Sequence, residues 1–207
     1  MITGFGKTGA MFAAQTYGVT PDIICCGKGL SSGVLPIGAM VAREEMAAAF
    51  WGTSADDVQF AHGHTFAGNP LACAVGMAVI DEIVENRLDA KARIMGEYLL
   101  KRLEGLKKYG VVREVRGKGI LLGVELVKDT KTQEPFPKLG TALKKTALKN
   151  GLILRVDPCW FAVAPALIAT ESELDEMCGL IEKSLVEAME QVDHSYSHLN
   201  YAPPGRG

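Results

Sequence analysis

Lys28 is the residue whose surroundings most suggest chemistry. It follows the apolar run Ile23-Ile24-Cys25-Cys26 and stands between Gly27 and Gly29. A lysine at the end of a buried strand is unfavourable as a cation, which suits it to act as a nucleophile or base near neutrality. The plainer alternative is a lysine that reaches the surface from a strand end. A second group is His62-Gly63-His64-Thr65-Phe66-Ala67-Gly68-Asn69-Pro70. Here hydrogen-bonding side chains and glycines lead into a helix start, whose unpaired N–H groups and positive dipole end suit an anion such as phosphate. An ordinary capping turn explains the same residues. Arg116 and Arg155, both at predicted strand ends, are candidates to hold a carboxylate through a two-pronged pair, or are surface arginines.

Other motifs carry less. Gly4, Gly6 and Gly9 match a G-x-G-x-x-G pattern, yet only Met1, Ile2 and Thr3 precede it and the next acidic residue is Asp22. A dinucleotide loop needs a full strand before it and an acid ~20 residues later. Gly6-Lys7-Thr8 ends like a P-loop, but Met1 stands where the first glycine is required. A tight turn using residues without a Cβ is the better reading. His62 and His64 lack a clear third ligand, and His194 and His198, at helical spacing, fall in a polar tail, so no metal site is expected.

The elements that must position these residues follow from pattern and punctuation. The first 110 residues read as part of an α/β layer. Short glycine-bounded apolar runs at 23–26 and 37–42 are expected as strands buried on both faces, and 43–51 as a helix. Asn69 and Pro70 open a long helix with apolar residues on more than one face, which predicts substantial burial. An amphipathic helix over 89–109, carrying Ile94, Leu99, Leu103 and Leu106, is expected to stop at Gly110. Residues 111–192 read as a smaller α+β unit. It has a hairpin around Gly117-Lys118-Gly119, a helix over 138–150, short strands at 152–156 and 161–164, and a final helix over 171–191 that Thr170 or Ser172 can cap. Residues 193–207 read as a mobile tail.

Composition limits the classes of function. The chain has 207 residues and a formal charge of −2, which leaves no basic field to hold a polyanion and argues against nucleic acid as a partner. Apolar residues make up 48%, enough for a packed core. No stretch approaches the ~18 continuous apolar residues of a membrane span, so no membrane role is expected. The N-terminus lacks the basic stub and apolar run of a secretory leader. Five cysteines, two of them adjacent and none in a C-x-x-C pair, argue against a disulfide framework and for a reducing, cytoplasmic location.

Taken in order, ITGFGKTGAMFA, YGVTPDI, GKGLSSG, PIGAMVA, HGHTFAGNPLACAVG and VREVRGKGILLGVELV resemble the class III aminotransferases, the ω-amino-acid and ornithine type. These are pyridoxal-phosphate enzymes of the aspartate-aminotransferase-like fold, fold type I. The resemblance runs from Met1 to about Val192. It implies an α/β fold comprising part of the large domain plus a C-terminal α+β small domain. It implies that Lys28 holds pyridoxal 5'-phosphate as a Schiff base and shuttles the substrate's proton, and that Thr65 reaches the cofactor phosphate of a neighbouring subunit in a homodimer. An amino group would pass from an amine or amino acid to a 2-oxo acid. In this family, the aspartate for the cofactor ring, the glycine-rich phosphate loop and the stacking aromatic lie upstream of the position of Met1. The chain is therefore expected to be a C-terminal portion with weak or no activity alone. Trp160 stands near the place where many relatives carry a carboxylate-binding arginine, with Arg155 as the fallback for that role. Another reaction of the same cofactor (aminomutase, racemase or decarboxylase) and a non-catalytic interaction module remain open alternatives.

Overall fold

Local signals start and stop the helices. In the computed structural model, which describes residues 1–52 and 57–192, Asn69 caps a helix by accepting a hydrogen bond from the Ala72 N–H at 3.1 Å. Pro70 occupies the first turn, where its missing N–H costs nothing. Two compact units divide the chain, one of Met1–Lys91 and one beginning at Ala92. The residues expected as a tail, with His194 and His198, lie outside the described residues.

In the first unit the elements are α1 (Ala13–Thr16), β1 (Ile23–Cys26), a 3-10 turn at Lys28–Leu30, β2 (Ala39–Ala42), α2 (Glu44–Ala48) and α3 (Pro70–Glu85). The two strands pair antiparallel, with Ile23 opposite Ala42 and Cys26 opposite Ala39. The Arg43 guanidinium closes the far end on Asp22 at 2.9 Å. Burial on both faces, expected for these strands, is not found: in β1 only Cys26 is buried, and β2 has no buried residue. Among the described residues no third strand pairs with this two-stranded ribbon, so most of its side chains stay open. The same correction applies to α3. It buries Ala72, Gly76 and Ile83 while Leu71, Met77 and Val84 face outward. Most of the large apolar side chains exposed among the described residues belong to this unit.

The second unit holds the main core. Here α4 (Leu88–Glu104) runs into a 3-10 turn at Gly105–Tyr109, and Gly110 ends it at φ 72°, the left-handed position that glycine adopts without penalty. Strands β3 (Val112–Lys118), β4 (Leu121–Leu126), β5 (Arg155–Asp157) and β6 (Trp160–Val163) form an antiparallel sheet in the order β3-β4-β6-β5. Helices α5 (Pro137–Lys149) and α6 (Glu171–Val192) pack on each other, and α5 also contacts β4 and β5. Leu99, Leu103, Val124, Leu143, Phe161, Ile181 and Leu185 meet in one apolar cluster. Ile94, expected on the buried face of α4, is instead exposed. Thr170 and Glu173 cap α6 reciprocally: the Glu173 carboxylate accepts from the Thr170 N–H at 2.8 Å, and the Thr170 hydroxyl accepts from the Glu173 N–H at 3.3 Å.

Close backbone approach fixes several glycines in this unit, Gly96, Gly117 and Gly140 among them. A Cβ at Gly140 on α5 would lie 2.2 Å from the Pro158 carbonyl oxygen in the β5–β6 turn. Gly140→Ala must push the helix off the sheet, and is expected to lower unfolding free energy by about 1–3 kcal/mol in denaturant titration.

Polar ties join α6 to the segment ahead of the sheet. Tyr98 donates to Asp175 and Tyr109 donates to Glu182, each at 2.6 Å, and the Lys108 ammonium pairs with Glu182 at 2.5 Å. The hydrogen bonds from Lys108 and Tyr109 hold the Glu182 carboxyl below its ordinary range. A depressed carboxylate pKa stabilises the fold above the ordinary carboxylate value, and that contribution disappears as pH falls through the folded value. Glu182→Gln is therefore expected to melt below the parent chain at pH 7, by at most about 1 kcal/mol for so exposed a pair, with the gap closing as acidification passes below the ordinary carboxylate range. Thermal melts across that range check it.

Candidate functional site

Lys28 owes its position to the turn that follows β1. Gly27 continues the strand in extended form at φ 172°, and Lys28 then swings to φ 51°. The Leu30 N–H donates to the Gly27 carbonyl at 3.2 Å and the Ser31 N–H to the Lys28 carbonyl at 3.3 Å. Leu30 is buried and the Lys28 side chain is exposed. The expected desolvation of this lysine is thus not supplied: the strand before it is half open, and the turn directs the side chain outward. Among the described residues, Lys28 makes no ion pair. Burial acts on a different lysine. Lys7, in the N-terminal glycine turn, is half-buried and its pKa is pushed down by desolvation.

That glycine turn is closed and local, as the plainer reading required. Gly4 bridges Phe12, the Gly6 N–H donates to the Met11 carbonyl at 3.3 Å, and Gly6 and Gly9 take φ 91° and 88°. The Thr8 and Thr16 hydroxyls lie 3.1 Å apart.

Thr65 is exposed in the turn before α3, where the Ala67 N–H donates to the His64 carbonyl at 2.9 Å. Beside it the His62 and His64 rings meet edge to face at 4.9 Å, and Phe60 meets His62 at 5.8 Å. No hydrogen bond joins Lys28 to Thr65 among the described residues, although both belong to the first unit.

Arg155 and Trp160 lie in the second unit, on paired strands, and the fold does bring them together. The Arg155 guanidinium carbon sits 5.5 Å from the Trp160 ring centroid, and its Nε lies 3.4 Å from Asp157 Oδ2. The guanidinium thus already has a carboxylate partner on its own strand. Arg116 is likewise engaged, with Glu114 at 2.7 Å and Glu125 at 3.4 Å, and those carboxylates raise its pKa. The pairing of Arg155 with Trp160 was not readable beforehand, since it depends on the register Arg155–Ala162 and Asp157–Trp160 across the sheet.

Comparison with known proteins draws these features together. The family profile described as aminotransferase class-III matches residues 1–185. An adenosylmethionine-8-amino-7-oxononanoate aminotransferase from Geobacter sulfurreducens is 38% identical over 185 residues, covering 88% of this chain and 41% of that protein. Among solved structures, an (S)-enantioselective ω-transaminase from Thermomicrobium roseum superposes with a TM-score of 0.86 at 38% identity, over 91% of this chain and 42% of its own. A PMP-bound aminotransferase from Vibrio fluvialis gives 0.85 at 30% identity, over 92% and 43%. The chain spans less than half the length of each of these proteins. Fold-type-I architecture, the ordered motifs around Lys28 and Thr65, and a profile match over most of its residues together make the chain a member of the class III aminotransferases.

Proposed function

We propose that this chain serves a pyridoxal-phosphate-dependent transamination, moving an amino group from an amine or amino acid to a 2-oxo acid. The observation that carries this reading is the presentation of Lys28. Its primary amine is exposed at the end of β1 and makes no ion pair among the described residues. An aldehyde-bearing cofactor requires such an accessible amine, so the residue fits the group. When bound, pyridoxal phosphate supplies an aldehyde carbon for condensation with amines and a ring that accepts electrons from the substrate's α-carbon. Lys28 would hold it, and once free of it the Nζ accepts the proton from the α-carbon as a general base. Thr65, exposed ahead of the α3 N-terminus, offers a hydroxyl to a phosphate, and by family resemblance that phosphate belongs to the cofactor of a second subunit. Arg155 and Trp160 would face a substrate carboxylate, which must then compete with Asp157 for the guanidinium.

Incubation with pyridoxal phosphate, borohydride reduction and peptide mapping tests the reading. Label concentrated on Lys28 supports it, and label spread evenly over the other lysines overturns it. Formation of pyridoxamine phosphate on adding an amine distinguishes transfer from other reactions of the same cofactor.

A further inference from the structure

The backbone around Lys28 is held by a residue that the proposed chemistry leaves unused. Phe5 is 4% exposed and takes φ 56°, a left-handed conformation that is a genuine outlier for a bulky side chain. Lys28 also takes φ 51°. Such conformations persist only where the surroundings over-determine them. A Cβ on Gly29 would stand 3.0 Å from Phe5 Cβ, 3.3 Å from its Cδ2 and 3.4 Å from its Cγ, so the chain directly after Lys28 lies against Phe5, and a methyl there would force the aromatic to give by a few tenths of an ångström. Phe12 backs the ring edge to face at 5.3 Å, and the Gly4–Phe12 bridge closes the turn that carries it. From the other side α3 supports the next residue: a Cβ on Gly76 would lie 3.6 Å from the Leu30 carbonyl oxygen.

We propose that Phe5 is a positioning residue, which by packing on Gly29 locks Lys28 in the left-handed conformation that presents its amine. This inference rests on the reading of Lys28 as the cofactor lysine. The N-terminal glycine turn then has a purpose other than phosphate binding: it delivers a buried aromatic wedge to the turn after β1. The two residues lie far apart in sequence, so the wedge is formed only when the first unit folds.

The test uses the full chain with two readouts. The first needs no cofactor: the 13Cα and 13Cβ shifts of Lys28 and its HN–Hα coupling report the sign of φ. The second is the share of borohydride-trapped pyridoxal phosphate on Lys28, relative to the exposed Lys183 of α6. In Phe5→Ala the left-handed signature of Lys28 is expected to vanish and its share of label to fall about tenfold, the factor set by 1.4 kcal/mol. Phe5→Leu, which refills most of the volume, is expected to restore both. Gly29→Ala, which keeps Phe5 and its burial, is expected to reproduce the loss, and combining it with Phe5→Ala should cost less than the sum of the two, because the clashing partner is gone. Persistence of the left-handed signature in both Phe5→Ala and Gly29→Ala overturns the proposal, as does additive behaviour of the pair. Should the parent chain show no preference for Lys28 in trapping, the cofactor reading falls while the shift readout still decides the wedge: dependence on Phe5 supports it and independence refutes it.

Discussion

Lys28→Met is expected to reduce trapped pyridoxal phosphate at that peptide to zero while leaving label on the remaining lysines unchanged. The effect is all-or-none because methionine keeps the apolar stem but has no amine to condense. The substitution leaves the fold intact, since the side chain is exposed and makes no ion pair among the described residues, while the φ of 51° is a property of the backbone that methionine can share with lysine. Circular dichroism unchanged between the two chains, with reduction and peptide mapping by mass spectrometry, provides the check. A parent chain that labels Lys28 no more than Lys183, or a variant that still forms pyridoxamine phosphate with an amine donor, contradicts the assignment.

Phe161→Ala is expected to remove about 3–5 kcal/mol of unfolding free energy from the second unit, the largest stability effect of any single truncation there. Phe161 is fully buried and the bulkiest of the fully buried side chains. Its strand neighbours are Val124 on one side and Val156 on the other, both fixed by the sheet register. Two β-branched residues held by ladder hydrogen bonds on both sides collapse poorly into the vacated volume, so the cavity penalty adds to the lost burial. With total stability of a domain at about 5–15 kcal/mol, the loss takes a third or more of it. Urea titration followed by far-ultraviolet circular dichroism measures it. A loss below about 1.5 kcal/mol would mean that the cluster repacks as a fluid rather than as a jigsaw.

What could be read in the sequence was what local chemistry decides. The Asn69 cap, Pro70 at the helix start, Gly110 at the end of a helical run, and the hairpin around Gly117-Lys118-Gly119 each follow from one or two residues and their neighbours. The structure reproduces all of them. What could not be read was what depends on distant partners. Ile23–Cys26 looks the same whether it lies inside a layered sheet or at an open ribbon, so the exposure of Lys28 was not legible. The positive φ at Phe5 opposes that residue's own preference, so it was not legible from its neighbours in sequence. Trp160 becomes a neighbour of Arg155 only after β5 and β6 pair, so that contact could not be read from the sequence. Family resemblance supplied the chemistry of Lys28 and Thr65, whereas physical pattern alone left each of them beside a plainer reading.

The outward-facing Leu71, Met77 and Val84 of α3 and Met40 and Val41 of β2 also govern how the chain behaves in a test tube. A formal charge of −2 gives copies almost no mutual repulsion to offset the attraction between such patches. Solubility will therefore be limited by greasy collisions, and added acidic residues on the outer side of α3 would raise the concentration at which the solution turns cloudy.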